Sequence, residues 1–198
     1  AMSAERSDAV DECCIICARS HRTCRSCGRA VCPRHASAIN GSCKDCLNTI
    51  QRWAQEGQCT TAAEDAAIEA IGGPEAASYS LTTTLGFRTI AKRLSLTAED
   101  KFVDLGSGLG HLVVQAAREY HVWRSIGVEL AGSRHELAMV GVEHDITIAA
   151  LSSRIQLIHG NCADPSLWVE GGALHGATTV CLACPQFGDE LMRQIACN

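Results

Sequence analysis

Three glycines follow a short apolar segment in the sequence FVDLGSGLGH, residues 102–111. The apolar segment has the composition of a buried strand, and HLVVQAAREY after it has the pattern of a helix. Glycines at such a turn let the backbone approach a ligand closely. Gly106, Gly108 and Gly110 are spaced GxGxG, and His111 stands where the dinucleotide fingerprint GxGxxG has its last glycine. The spacing therefore disfavours NAD as the ligand.

Two acidic residues accompany this loop. Asp104 precedes the glycines, and Glu129 ends the next apolar segment, SIGVEL. A carboxylate in the second position can accept hydrogen bonds from both hydroxyls of a ribose. The Asp-x-Gly-x-Gly-x-Gly pattern resembles motif one of the class I S-adenosylmethionine-dependent methyltransferases, whose cationic cofactor suits an acid. The resemblance implies cofactor contacts from Asp104, Gly106, Ser107, Gly108, Gly110 and Glu129. For a glycine-rich loop by itself, a simple turn is the alternative.

A longer stretch resembles one methyltransferase family more closely. FVDLGSGLGHLVVQAA followed by IGVEL is similar to the pattern of the non-SET histone lysine methyltransferases named for disruption of telomeric silencing. Upstream, Tyr79 and Thr82 match that family's cofactor-covering Tyr-x-x-Thr. Downstream, HGNCADPSLW and FGDE parallel two further motifs. The resemblance implies catalytic positions for Tyr79 and Phe187, and cofactor contacts from Tyr79, Thr82, Asn161 and Cys162.

By the same resemblance, the chain transfers a methyl group from S-adenosylmethionine to a lysine of a nucleosomal histone, in the nucleus. Its residues would exclude water from the lysine amine, which favours the neutral form, and align it with the methyl group. Two departures from the family support another hypothesis, a catalytically degenerate scaffold or binding module. Ala183-Cys184-Pro185 replaces Asn-Asn-Phe, and Asn161-Cys162 replaces Asp-Phe. A small-molecule or nucleic-acid methyltransferase that shares only the cofactor core is a third hypothesis.

Strand and helix patterns alternate around these motifs. The strands are predicted in KFVDL, RSIGVEL, RIQLIHGN and ATTVCLA, and the helices in LGFRTIAKRLSL, HLVVQAAREY, SRHELAMVGVEHDITIAALSS and DELMRQIA. We therefore predict an α/β fold for residues 79–198, a Rossmann-like class I methyltransferase sheet truncated after its fourth strand. Residues 47–78 are predicted to form a helical connector that packs on both neighbours.

Eight of the thirteen cysteines lie in residues 13–46, which we predict to be a separate small domain. Pairs spaced CxxC or CxxH can each give two donors to a tetrahedral ion, so four pairs predict two structural Zn²⁺ ions. Interleaving the first pair with the third and the second with the fourth is favoured over sequential pairing, and disulfides or buried thiols are the alternative. Cys13 is then either surplus or an alternative to Cys14 as a ligand. The predicted ligands are Cys14, Cys17, Cys24, Cys27, Cys32, His35, Cys43 and Cys46.

The stretch HRTCRSCGRAVCPRH in this module resembles the crossed-brace zinc fingers of the FYVE and PHD superfamily. Five arginines lie between Cys17 and Cys43 without an acidic neighbour, and they suggest contact with DNA or an acidic protein, a solvated surface being the alternative. The whole chain carries a net charge of −5, so it is no general polyanion binder. No apolar run is long enough to cross a bilayer, and we expect no membrane span.

Overall fold

A computed structural model describes residues 56–144, 151–183 and 186–198, together with the backbone of two short strands, β1 (Arg22–Thr23) and β2 (Ala30–Val31). These two strands pair antiparallel, Arg22 opposite Val31. The eight predicted zinc ligands, the connector before residue 56, and Cys184 with Pro185 lie outside the described residues.

The centre of the molecule is a parallel sheet of four strands: β3 (Lys101–Leu105), β4 (Arg124–Glu129), β5 (Ile155–His159) and β6 (Thr179–Cys181). Their order is β5-β4-β3-β6. The chain therefore proceeds outward from β3 through β4 to β5, and then returns to the other side of β3. Asp104 of β3 lies between Gly127 of β4 and Cys181 of β6. The α/β fold predicted from the sequence is confirmed.

Five α-helices surround the sheet in the described part of the chain. They are α1 (Ala62–Gly72), α2 (Thr84–Arg93), α3 (His111–Gln115), α4 (Gly132–His144) and α5 (Asp189–Cys197). Helix α3 continues as a π-helical turn, Ala116–Tyr120, and a 3₁₀ turn spans Pro165–Leu167. Within the described segments, no helix is long and apolar enough to span a membrane.

The prediction of one long helix from Ser133 to Ser153 was wrong at its end. Residues 151–154 form a turn, in which the Arg154 and Ile155 N–H groups donate to the Leu151 carbonyl at 2.8 and 3.2 Å. Ile155 must then pair with Ser125 of β4, so the chain has to turn before it. The Arg154 guanidinium also donates to the Val122 carbonyl, which fixes this turn beside β4.

Two apolar clusters hold the sheet. One contains Val103 and Leu105 of β3, packed with residues of β4 and with Leu174 and Leu191. The other contains Phe102 of β3, whose ring meets that of Phe87 edge to face at 5.4 Å. Successive side chains of a strand point to opposite faces, so β3 is buried on both sides. The residues at its carboxyl end are therefore held by a rigid support.

Candidate active site

A cleft of about 880 Å³, its open mouth included, lies at the carboxyl ends of the four parallel strands. Ligands bind at such an edge where strand order reverses, which here is between β3 and β6. The residues that follow each strand contribute to the lining, and so do the segment before α2 and residues of α1, α4 and α5. We call this cavity the strand-end cleft. Its lining includes Tyr79, Thr82, Asp104, Gly106, Ser107, Gly108, Glu129, Arg134, Asn161, Cys162 and Phe187.

The first three residues of the glycine loop (residues 106–110) line the strand-end cleft. Its first two N–H groups, those of Gly106 and Ser107, both donate to the Val128 carbonyl at 2.9 and 3.0 Å, which ties the loop to β4. Gly108 has a φ of 53°. A Cβ atom there would lie 2.7 Å from Cε2 of Tyr79, so the backbone conformation and the close ring both require glycine.

Gly110 lies away from the cleft lining, unlike the other two glycines. It precedes α3 with a φ of 75°, and a Cβ atom there would contact the side chains of Leu157 and Ala138 at 3.5 to 3.8 Å. Its position serves the turn into the helix and the packing of that helix against β5 and α4. Its predicted contact with a cofactor stays a prediction.

Glu129 connects the glycine loop to the end of β4. Its side chain is buried at 5% exposure, and its two carboxylate oxygens accept from the Gly108 and Ala131 N–H groups at 2.7 and 2.9 Å. A carboxylate oxygen has two lone pairs, so each retains acceptor capacity toward the cleft. The loop and the acid that the sequence places 21 residues apart are thus one hydrogen-bonded unit.

Asp104 is the most unusual group in the strand-end cleft. It is 2% exposed, and its Oδ1 atom is buried without a hydrogen-bond partner among the described residues. Burial, and then the charge of Glu129, raise the pKa of Asp104 to about 8. A buried acceptor left unpaired costs free energy. A buried carboxyl with an unpartnered oxygen suits a ligand that brings a hydrogen-bond donor and a positive charge.

Tyr79 crosses over the glycine loop. A Cβ atom on Gly57 would lie 2.2 Å from Cε1 of the ring, so the backbones of Gly57 and Gly108 pack against opposite edges of it. The Arg134 guanidinium lies 5.1 Å from the ring centroid. Burial raises the pKa of Tyr79 to about 12, and a hydrogen bond with the Leu109 backbone and the charge of Arg134 oppose this.

The other predicted site residues gather at the same cleft. Asn161 Oδ1 accepts from the Ala163 N–H at 2.9 Å, which shapes the turn after β5. Cys162 is buried, and burial raises the pKa of its thiol to about 11. The Phe187 ring lies 3.1 Å from the position of a Cβ atom on Gly106, and Thr82 lines the opening. All the predicted catalytic and cofactor-binding positions except Gly110 therefore line the cleft: Tyr79, Thr82, Asp104, Gly106, Ser107, Gly108, Glu129, Asn161, Cys162 and Phe187.

Two functional candidates were missed in the sequence, Arg134 and Gly57. Arg134 lines the strand-end cleft at 5% exposure and donates to the carbonyls of Gly57 and Ala77 at 2.9 and 2.8 Å. Its partners lie 77 and 57 positions earlier, so no local motif signals them. His111 also lines the cleft, and the sequence showed it only as the residue that replaces a glycine.

Residues 77–151 match the family model described as Histone methylation protein DOT1. The matched residues include Tyr79, the glycine loop and Glu129, and they make up less than half of the chain. This match supports the prediction of an S-adenosylmethionine-dependent methyltransferase from the histone-modifying class. No curated protein matches the sequence.

Three solved structures are among those to which part of this chain is similar. An RNA methyltransferase from Salinibacter ruber, in complex with S-adenosyl-L-homocysteine, is 21% identical with a TM-score of 0.43, over 52% of this chain and 60% of that one. A methyltransferase from Geobacter sulfurreducens with the same ligand is 19% identical with a TM-score of 0.40, over 56% and 41%. One from Thiobacillus denitrificans, also with that ligand, is 26% identical with a TM-score of 0.32, over 42% and 30%. The chain thus spans less than two thirds of the length of each of these proteins.

Proposed function

We propose that this chain is an S-adenosylmethionine-dependent lysine N-methyltransferase that acts on a histone in the nucleosome, in the nucleus. The observation that carries the proposal is the arrangement of Asp104, the glycine loop and Glu129 in one cleft, within the segment that matches the histone methylation family. The proposed cofactor supplies an electrophilic methyl group on a sulfonium.

The residues present fit that cofactor. The unpartnered Oδ1 of Asp104 offers an acceptor to a cationic amine, and Glu129 retains acceptor capacity for ribose hydroxyls. Gly106 and Gly108 lack the Cβ atom that would meet the Phe187 or Tyr79 ring, so both rings lie close to the loop backbone. Thr82, Ser107, Asn161 and Cys162 complete the lining.

The chain's task in the reaction is positioning and exclusion of water. The Tyr79 ring lies close to Gly108 and the Phe187 ring close to Gly106, and both residues line the cleft, so aromatic rings border it. An apolar border disfavours the charged ammonium form of an entering lysine and favours the neutral amine that attacks. Holding that amine in line with the methyl group then lowers the barrier through orientation.

We further propose three units: a zinc finger at residues 13–46 with two Zn²⁺ ions, a helical connector at 47–78, and the methyltransferase-like domain at 79–198. The cysteine pairs and their short linkers support the two-ion model. Among the described residues no metal-ligand cluster is present, and all eight proposed ligands lie outside them. The finger would assist docking on chromatin through its arginines, against DNA or an acidic protein surface.

Calorimetry with S-adenosylmethionine tests the cofactor first, with Asp104→Ala and Glu129→Ala as variants expected to lose binding. Gly141→Ala is the matched control, since nothing lies within 4 Å of a Cβ atom at that exposed helix position. Transfer of a labelled methyl group to nucleosomes, compared with free histones, then tests the substrate. Absence of cofactor binding would overturn the enzyme proposal, and binding without transfer would indicate a degenerate scaffold. Metal analysis of reduced protein is expected to give about two zinc ions per chain.

A further inference from the structure

Among the described residues, Arg134 is the one arginine whose side chain is buried. Within the described segments, ion pairs form between Arg88 and Glu119 and between Arg193 and Glu190, both partly or fully exposed. Arg134 is 5% exposed, and its guanidinium donates to backbone carbonyls. Burying a cation costs free energy that carbonyl acceptors offset only in part. An apolar residue would fill this position at lower cost, so the arrangement calls for a reason other than packing.

The partners of Arg134 show what that reason is. Its Nε atom donates to the Gly57 carbonyl and its Nη2 atom to the Ala77 carbonyl, which belong to two separate segments. Both segments are linked to Tyr79: the Gly57 backbone packs on its ring, and Ala77 lies two residues before it in the chain. The planar guanidinium, with donors in a fixed geometry, can hold two carbonyls at a defined separation, whereas a lysine ammonium cannot.

The same guanidinium lies over the Tyr79 ring, 5.1 Å from its centroid. The ring is thus contacted on one face by Arg134 and at its edges by the backbones of Gly57 and Gly108. Arg134 stands in the first turn of α4, and α4 follows directly from Glu129. Helix α4 is also fixed at this end, because Glu64 of α1 accepts from the Ser133 N–H at 2.8 Å. Arg134 therefore stands on a helix end that is itself held in place.

We propose that Arg134 is a positioning residue: it clamps residues 57 and 77 to α4 and thereby holds Tyr79 across Gly108, closing the strand-end cleft over its ligand. The role in ligand affinity rests on the proposed function, whereas the clamp itself is a property of the protein without ligand. Gly57 is the second element of the clamp, because any side chain there would occupy the space of the Tyr79 ring.

Two measurements on the full chain test the clamp separately from the cofactor. The first is amide hydrogen exchange of the peptide 76–82 in the absence of ligand, with peptide 101–105 of the buried strand as the reference. Arg134→Met should speed exchange in 76–82 about tenfold while leaving 101–105 unchanged, since a hydrogen bond to a charged group is lost locally. Arg93→Met, the same substitution at an exposed arginine of α2, should change neither peptide.

The second measurement is the dissociation constant for S-adenosylhomocysteine. We expect Arg134→Met to raise it about tenfold or more and Arg134→Lys to recover only part of the loss, because the fork geometry is missing. Gly57→Ala, which keeps all side-chain donors of Arg134, should weaken binding and speed exchange in 76–82 alike. Gly141→Ala on the same helix as Arg134 is its matched control.

The outcomes are distinguishable. Faster exchange in 76–82 together with no binding of S-adenosylhomocysteine by the wild-type chain supports the clamp and refutes the proposed function. Wild-type binding with unchanged exchange and unchanged affinity in Arg134→Met overturns the clamp. If Arg134→Met speeds exchange in both peptides, the whole fold is affected, and Gly57→Ala becomes the deciding variant. Faster exchange in 76–82 alone in Gly57→Ala supports the clamp, and unchanged exchange in 76–82 overturns it.

Discussion

Cofactor affinity should depend steeply on pH through Asp104. Burial and the neighbouring charge of Glu129 raise the pKa of this carboxyl to about 8. At pH 6 only about 1% of such a group is ionised, at pH 7 about 9%, and at pH 8 half. A ligand with a cationic amine requires the ionised form, and its apparent affinity is reduced by the fraction of protein in that form. The affinity for S-adenosylmethionine should therefore rise about 50-fold between pH 6 and pH 8.

Calorimetry in two buffers of different ionisation enthalpy measures this linkage. Binding at pH 7 should release about 0.9 proton, because the bound state ionises a carboxyl that is mostly protonated in the free protein. The groups around Asp104 are Glu129 on β4, Cys181 on β6 and Tyr79 above the loop. Burial, and then Asp104 itself, raise the pKa of the Cys181 thiol to about 12, and that of Tyr79 is about 12, so neither titrates in this window.

Asp104→Asn is the control for this prediction, and it also has an expected effect on stability. Any pH dependence that remains in Asp104→Asn belongs to groups other than Asp104. Without ligand, Asp104 keeps its proton in the folded protein up to a pH of about 8, whereas in the unfolded chain the carboxyl loses it above its ordinary pKa of 3.8. The free energy of unfolding therefore falls as the pH rises from about 4 to 8. The variant should therefore gain melting temperature over wild type at pH 8.5 but not at pH 4. An affinity that changes less than twofold from pH 6 to 8, with no proton released, would refute the reasoning.

Three further substitutions have expected results. Glu129→Gln leaves one acceptor oxygen for the two N–H groups that the carboxylate serves, so we expect a stability loss of about 1–3 kcal/mol in urea titration and weaker cofactor binding. Gly108→Ala places a methyl group against the Tyr79 ring in a left-handed conformation, so calorimetry should show cofactor affinity reduced at least about tenfold, and unchanged affinity would contradict the close contact. Trp168→Phe removes the indole N–H that donates to the Cys162 carbonyl at 2.8 Å, so the unfolding free energy should fall by about 1 kcal/mol, with a normal α/β circular dichroism spectrum as the check on folding.

The sheet was predictable because its signals are local. The segment KFVDL contains three apolar residues, Phe102, Val103 and Leu105, and is followed by glycines; the observed β3 spans the same five residues. A strand buried on both faces favours apolar residues on each side, and the glycines mark its end. The carboxyl ends of parallel strands share one edge of a sheet, so the order of the segments is enough to predict that Asp104 and Glu129 lie near one another.

Where local signals were weak, the prediction from sequence was less accurate. The turn at residues 151–154 interrupts an otherwise helical pattern, because Ile155 has to align with Ser125 of the neighbouring strand. Gly110 has the same spacing as Gly106 and Gly108, yet it lies away from the cleft and faces Leu157 and Ala138. Periodicity describes a segment by itself, whereas the position of its end depends on the neighbour against which it packs.

The sequence pattern alone predicted that a glycine loop and two acids would meet at one end of a parallel sheet, and the family resemblance implied a tyrosine that covers them. The tertiary structure decided the state of those groups: that Asp104 is buried with its Oδ1 atom unpartnered among the described residues, and that Gly57 and Arg134 hold Tyr79. Residue types and spacing fix which strand a group ends, but burial and hydrogen bonding depend on segments 57 to 77 positions away. The electrostatic state of the site is therefore a property of the folded chain, since only folding removes water from these groups.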